Sequence, residues 1–227
     1  MLRQVTIASL LALGTAPVYA ITYTLDPGYT VGIARWSHLG FASPSAQFKQ
    51  VEGTLEFDQA DPSRSSVMVS IPLTELSAGL PDLDDCLRST YLLNLARFPN
   101  ATFKSTHVET MGTQDLLKVT GNFSLLGATK LVTLDVRINK IGTNPANRLP
   151  TVGFEATTIL KRSDFGLGFY SSQISDEIQI QISAEAAEAK GFAQYLKSKA
   201  EADLKTKAAG GAPKDKKPIA SPNFFLI

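Results

Sequence analysis

Apolar and polar residues alternate along most of this chain. Leu55 and Phe57 alternate with Thr54, Glu56 and Asp58, and Val67, Val69 and Ile71 with Ser66, Met68 and Ser70. Val132, Leu134, Val136 and Ile138 alternate with Thr133, Asp135, Arg137 and Asn139, and Ile178, Ile180 and Ile182 with Glu177, Gln179, Gln181 and Ser183. A period of two puts the apolar side chains of a segment on one face, so each run predicts a strand with one side buried and the other wet. Weaker alternation marks Thr30–Trp36, Thr102–Val108, Leu116–Phe123 and Thr151–Leu160. Between Ile21 and Ala184 the pattern predicts about eight strands. They are separated by turn-forming segments such as Asp61-Pro62-Ser63 and Asn144-Pro145. Short connections favour antiparallel pairing, and strands wet on one face close into a barrel or a sandwich.

Two segments depart from this pattern. Between Thr74 and Leu95, Pro81-Asp82-Leu83-Asp84-Asp85 precedes Cys86-Leu87-Arg88. Acids early and a base late suit the dipole of a short helix, with Asp84-Asp85 as its solvated start. Tyr91-Leu92-Leu93, just before Phe98-Pro99, reads as a plug of one barrel end or as the lid of a ligand mouth. From residue 190 the composition turns to Ala, Glu and Lys, which predicts a basic helix over 190–209. Phe192, Leu196, Ala200 and Leu204 form its narrow apolar stripe, so it docks lightly or projects. Gly210-Gly211-Ala212-Pro213 ends it, and 210–227 reads as a flexible tail.

At the other terminus, Arg3, the apolar run from Val5 to Leu13 and Val18-Tyr19-Ala20 form a secretory signal over residues 1–20. The barrel unit then spans 21–189, and the chain is expected in the periplasm. The formal net charge of +1 conceals two parts. Residues 21–189 carry 13 basic and 18 acidic side chains, and residues 190–227 carry 8 lysines and 3 acids. An acidic barrel joined to a basic tail suggests transient contact of the tail with an anionic membrane or an acidic protein. The balance argues against a nucleic-acid-coating protein.

Sequence signals for catalysis are sparse. No G-x-S-x-G, H-E-x-x-H or P-loop motif is present, and no metal or cofactor is expected. The one cysteine, Cys86, excludes an internal disulfide and reads as a small buried hydrophobe. His107 and Glu109 share a strand face but lack a third ligand. His38, between Trp36 and Leu39-Gly40-Phe41, reads either as a polar handle for a ligand or as a hydrogen-bonded strand-end histidine. Aromatic surface is plentiful: twelve Phe, six Tyr and one Trp. An eight-stranded barrel interior is either filled by side chains or holds one small ligand.

Short motifs follow one another in a fixed order: Tyr23-Thr24-Leu25-Asp26-Pro27, Trp36-Ser37-His38-Leu39-Gly40, Gln47-Phe48 and Gly53-Thr54-Leu55-Glu56-Phe57-Asp58 early in the chain. Phe98-Pro99-Asn100-Ala101-Thr102-Phe103, Gly121-Asn122-Phe123-Ser124-Leu125-Leu126-Gly127, Lys161-Arg162-Ser163-Asp164-Phe165-Gly166 and Ile174-Ser175-Asp176-Glu177-Ile178 come later. Their order and spacing resemble the YceI-like family of exported, lipocalin-like, polyisoprenoid-binding barrels. Where the family often has His-Ser this chain has Tyr29-Thr30, and where it has a His before the central-turn glycine this chain has Leu126. Where the family often has Gly this chain has Ala46, and where it has paired Phe and an Asp this chain has Leu92-Leu93-Asn94. The lost polar groups bear on the headgroup more than on the tunnel.

The resemblance implies an all-β, antiparallel eight-stranded lipocalin-like barrel with a short inserted helix and a C-terminal helical extension. It implies a tunnel for an isoprenoid, quinone-like lipid or fatty amphiphile, and no catalytic step. The residues expected at the ligand are Ile33, Trp36, Phe41, Phe48, Leu92, Leu93, Phe103, Phe123, Phe154 and Phe165, with His38 and Arg162 near a headgroup. Transport, storage or sequestration, and a homodimer, are all compatible with it. The competing readings are a solid barrel whose C-terminal helix binds a partner, and an enzyme acting on the bound lipid.

Overall fold

The computed structural model describes residues 20–208. The signal segment read over 1–20, apart from Ala20, and the tail read over 210–227 lie outside the described residues. The strands are β1 (Ile21–Leu25), β2 (Val31–Arg35), β3 (Ser45–Phe48), β4 (Glu52–Phe57), β5 (Ser66–Pro72), β6 (Asn100–Met111), β7 (Thr113–Leu125), β8 (Ala128–Thr143), β9 (Pro150–Lys161) and β10 (Glu177–Glu188). Two α-helices join them, α1 (Pro81–Arg88) and α2 (Ala189–Ala208).

All ten strands belong to one antiparallel sheet of order β1-β4-β5-β6-β7-β8-β9-β10-β2-β3, closed by pairing of β1 with β10. The count reduces to eight staves because the first two are each broken in the middle. β10 pairs with β2 through Gln179–Ser183 and with β1 through Ala186–Glu188. β3 and β4 face β2 and β1 in the same way. The first break, Asp26–Thr30, contains Pro27, which lacks a ladder donor, and an Asp26 carboxylate that accepts from Gly28 N–H at 2.9 Å. In the second break Gln50 is left-handed, with φ 55°.

The alternation places the expected faces inward. Two glycines on inner faces allow close crossings. A Cβ on Gly121 would stand 2.6 Å from Phe103 Cζ and 2.5 Å from the Lys104 carbonyl, and one on Gly53 would stand 2.9 Å from Leu25 Cδ1. Large side chains therefore cross the interior over bare backbone.

The two barrel ends differ. One end is formed by the start of β1, the end of β10 and the β8–β9 turn, and Phe192 of α2 is buried against it. The Glu188 carboxylate caps α2 by accepting from Lys190 N–H at 3.1 Å and Gly191 N–H at 2.7 Å. From Ala193 to Lys207 the helix is exposed, so it projects as its narrow stripe predicts. The other end is formed by the β2–β3 turn, the connection containing α1, the β7–β8 turn and the β9–β10 loop.

Two details differ from the sequence reading. Cys86 is exposed on α1 rather than buried. Asp84 is not a solvated helix start: its carboxylate accepts from Ser77 Oγ at 2.9 Å and Ala78 N–H at 2.5 Å. These bonds tie α1 back to the segment that precedes it.

Candidate functional site

The half of the barrel nearest α2 is filled. Tyr23, Leu25, Leu55, Phe57, Val108, Leu117, Val119, Ile138, Val152 and Ala186 are buried in one cluster. Tyr23, Phe57 and Phe154 cross it edge to face, with 6.2 Å between successive ring centroids. Burial raises the Tyr23 hydroxyl pKa above its ordinary value, and the nearby Glu188 carboxylate adds to the shift.

The opposite half is not filled in the same way. Ile178, Ile180 and Ile182 of β10, Leu160 and Thr158 of β9 and Val132 of β8 point inward by register and remain only half-buried. Among the described residues they belong to neither packed cluster. On β2 and β7 their register partners are Gly32, Ala34 and Gly121, and the two glycines are covered by rings, Phe48 against Gly32 and Phe103 over Gly121. What marks the space is therefore the half-buried state of these inward aliphatic side chains. The lining is aliphatic with one hydroxyl, so it offers hydrophobic contact along several strand residues.

A second cluster roofs part of this space. Ala46, Leu76 and Leu93 are buried, with Trp36, Phe48, Leu87, Leu95, Leu125 and Leu167 packed against them. Phe165 is buried edge to face on Phe123, 5.4 Å between centroids. Three charged groups lock the roof in place. Asp84 is held below the usual carboxylate range by the Ala78 N–H first, then the Ser77 hydroxyl and the Arg88 charge. Asp176 is lowered by the Ser163 hydroxyl and N–H, with Arg162 and Lys161 contributing. Arg162 is buried, and its guanidinium donates to the carbonyls of Ser175 at 3.0 Å, Ile174 at 3.1 Å and Leu167.

The residues singled out from sequence separate into three groups. Phe103, Phe123 and Phe154 lie on inner faces, Phe103 buried in the first cluster and Phe123 and Phe154 packed against it. Trp36, Phe48, Leu93 and Phe165 stand in the roof, and Leu92 is half-buried beside Leu93. The remaining four stand elsewhere. Ile33 lies on the outer face, because Gly32 and Ala34 take the inner positions of β2. Phe41 and His38 are exposed in the β2–β3 turn. Arg162 has its guanidinium engaged by backbone carbonyls, which makes it a clamp for the β9–β10 loop rather than a free headgroup contact. The sequence reading left out Ile178, Ile180, Ile182, Leu160 and Val132. Their signal was the strict alternation with Glu177, Gln179 and Gln181, which fixes a face but not what lies opposite.

His107 and Glu109 are exposed on β6, and no group of three or more potential metal ligands occurs among the described residues.

Comparison with known proteins gives the same architecture. The chain is 36% identical over 187 residues to Protein YceI of Salmonella arizonae, covering 82% of this chain and 96% of the relative. Protein YceI of Salmonella paratyphi B matches to the same extent. Among solved structures, BcnA of Burkholderia cenocepacia superposes with a TM-score of 0.64 at 22% identity, covering 71% of this chain and 98% of that one. A polyisoprenoid binding domain from Saccharophagus degradans superposes at 0.58 with 15% identity, covering 74% and 99%. The family model for the YceI-like domain matches residues 23–186, which are the closed barrel from β1 to β10. The chain belongs to the YceI-like family.

Proposed function

We propose that this chain is an exported binding protein that holds the hydrocarbon chain of an isoprenoid or fatty amphiphile inside the barrel, for transport, storage or sequestration. The observation that carries the reading is that Ile178, Ile180, Ile182, Leu160 and Val132 face inward, remain half-buried and belong to neither packed cluster. Burial of a long chain stabilises the complex by about 0.8 kcal/mol per CH₂, so affinity arises without many polar contacts. The binding ascribed to the Saccharophagus degradans neighbour supports the same ligand class. Export rests on the signal pattern over residues 1–20.

The test is native purification followed by organic extraction and mass spectrometry, with uptake of a fluorescent fatty probe measured in parallel. An isoprenoid or fatty chain in the extract and saturable uptake are expected. A lipid-free protein that takes up no probe would refute the reading and favour a barrel acting through its C-terminal helix.

A further inference from the structure

The β2–β3 turn and the β9–β10 loop form one continuous surface at the open end of the barrel. Leu39 N–H donates to the Gln173 carbonyl at 2.7 Å, Ser175 N–H donates to the Ser37 carbonyl at 3.0 Å, and His38 bridges to both Ala42 and Ile174. Arg162 holds the second segment from within through its three carbonyls. These are braced projections. At their tips stand Leu39 (52% exposed), Phe41 (93%), Phe169 (60%) and Tyr170 (65%). Tyr91, 85% exposed, adds to them from the α1 connection at the same end.

Two further observations set these side chains apart from ordinary surface residues. Leu39 (φ 54°) and Tyr170 (φ 58°) both occupy the left-handed backbone region. Folding stability would favour glycine or asparagine at such positions, and solubility would favour a polar residue. The chain places a large apolar or aromatic side chain at each. In addition, Trp36–Pro44 and Phe165–Ser175 contain no Lys, Arg, Asp or Glu, in a chain that is 19% charged. Exposed Arg35, Asp164, Asp82, Asp85 and Arg97 lie outside these two segments; the tips themselves are uncharged aromatic and aliphatic side chains, the kind a bilayer interface selects.

We propose that this uncharged aromatic rim seats in the interfacial region of a lipid bilayer, so that the open end of the barrel faces the membrane. The inference rests on the reading that the barrel takes a lipid chain: such a chain then passes from bilayer to interior without crossing water. Because α2 leaves the barrel at the opposite end, its lysines are not part of this contact, and the attachment does not need anionic lipid.

The test uses the full chain with phosphatidylcholine vesicles at high salt, read by flotation. Vesicle association is expected. The double substitution Phe41→Ser and Phe169→Ser should weaken association by about a hundredfold, roughly tenfold for each ring withdrawn from the interface, with an unchanged melting temperature. Uptake of a monomeric fluorescent fatty acid should be the same in both proteins. Vesicle association by the parent without any probe uptake would remove the cavity reading and leave the rim standing. Equal association of parent and double variant would overturn the proposal. So would binding that requires anionic lipid and vanishes at high salt, or a self-association of the parent that the double variant loses, since the rim would then cover a second copy.

Discussion

Arg162 shows how a single residue can be misread from sequence and still matter. A basic side chain in a motif near the barrel mouth suggests a headgroup contact, but the guanidinium satisfies three backbone carbonyls of the β9–β10 loop. Arg162→Ala would leave those carbonyls without their donors. The expected cost is about 3 kcal/mol in denaturant unfolding, with amide exchange accelerating first over residues 167–175. Lys would not substitute, since one ammonium cannot span a planar fork. The carboxylates carry a pH prediction. Asp58 is lowered chiefly by the Asp61 N–H and then by Arg64, and Asp84 and Asp176 are lowered by their own donors. A depressed folded pKa contributes stability that is fully present above the unfolded value, near 3.8. That stability is lost as pH falls through the lower folded value. Thermal unfolding should therefore be insensitive to pH near neutrality and drop steeply below about pH 4. Asp84→Asn should melt lower at neutral pH and show a shallower acid slope.

Among the elements, α2 divides into a docked first turn and a free remainder. Phe192 is 2% exposed and stacks on Tyr195 with 6.4 Å between centroids, whereas the helix beyond is exposed. Phe192→Ala should cost about 3 kcal/mol, measured by chemical denaturation. A chain ending at Lys197 should melt like the full-length protein, because α2 is exposed from Ser198 to Lys207. This division was partly legible in the sequence, from a stripe too narrow to bury the whole helix. The broken staves were less so. β1 and β3 have 5 and 4 residues, too few for a period of two to stand out, and the Asp26–Thr30 break separates β1 from its continuation β2. The long alternating runs of β8 and β10 were read directly, because each supplies several repeats of the pattern.

The whole molecule is a barrel packed at the α2 end, with half-buried aliphatic side chains of β8, β9 and β10 facing inward beneath a partial roof toward the other, and a basic helix leaving from the packed end. The two halves should answer differently to added volume. Val119→Trp, in the filled half, should destabilise by about 2 kcal/mol through overpacking. Ile180→Trp, in the open half, should leave the melting temperature nearly unchanged while reducing uptake of a fatty probe at least about tenfold. Equal destabilisation by the two substitutions would mean that both halves are packed alike. The sequence by itself determined the strands, the apolar face of each, the projecting helix and the family, because these follow from local periodicity and from motif order. The tertiary structure alone decided which apolar residues pack and which line a space. Val119 and Ile180 sit in similar alternating runs, and they differ in what the closed sheet brings opposite them. Val119 meets Val108 and the filled cluster, whereas Ile180 meets Ala34 beside Gly32. Cavity formation depends on the summed volume of neighbours remote in the chain, and no local pattern records that sum.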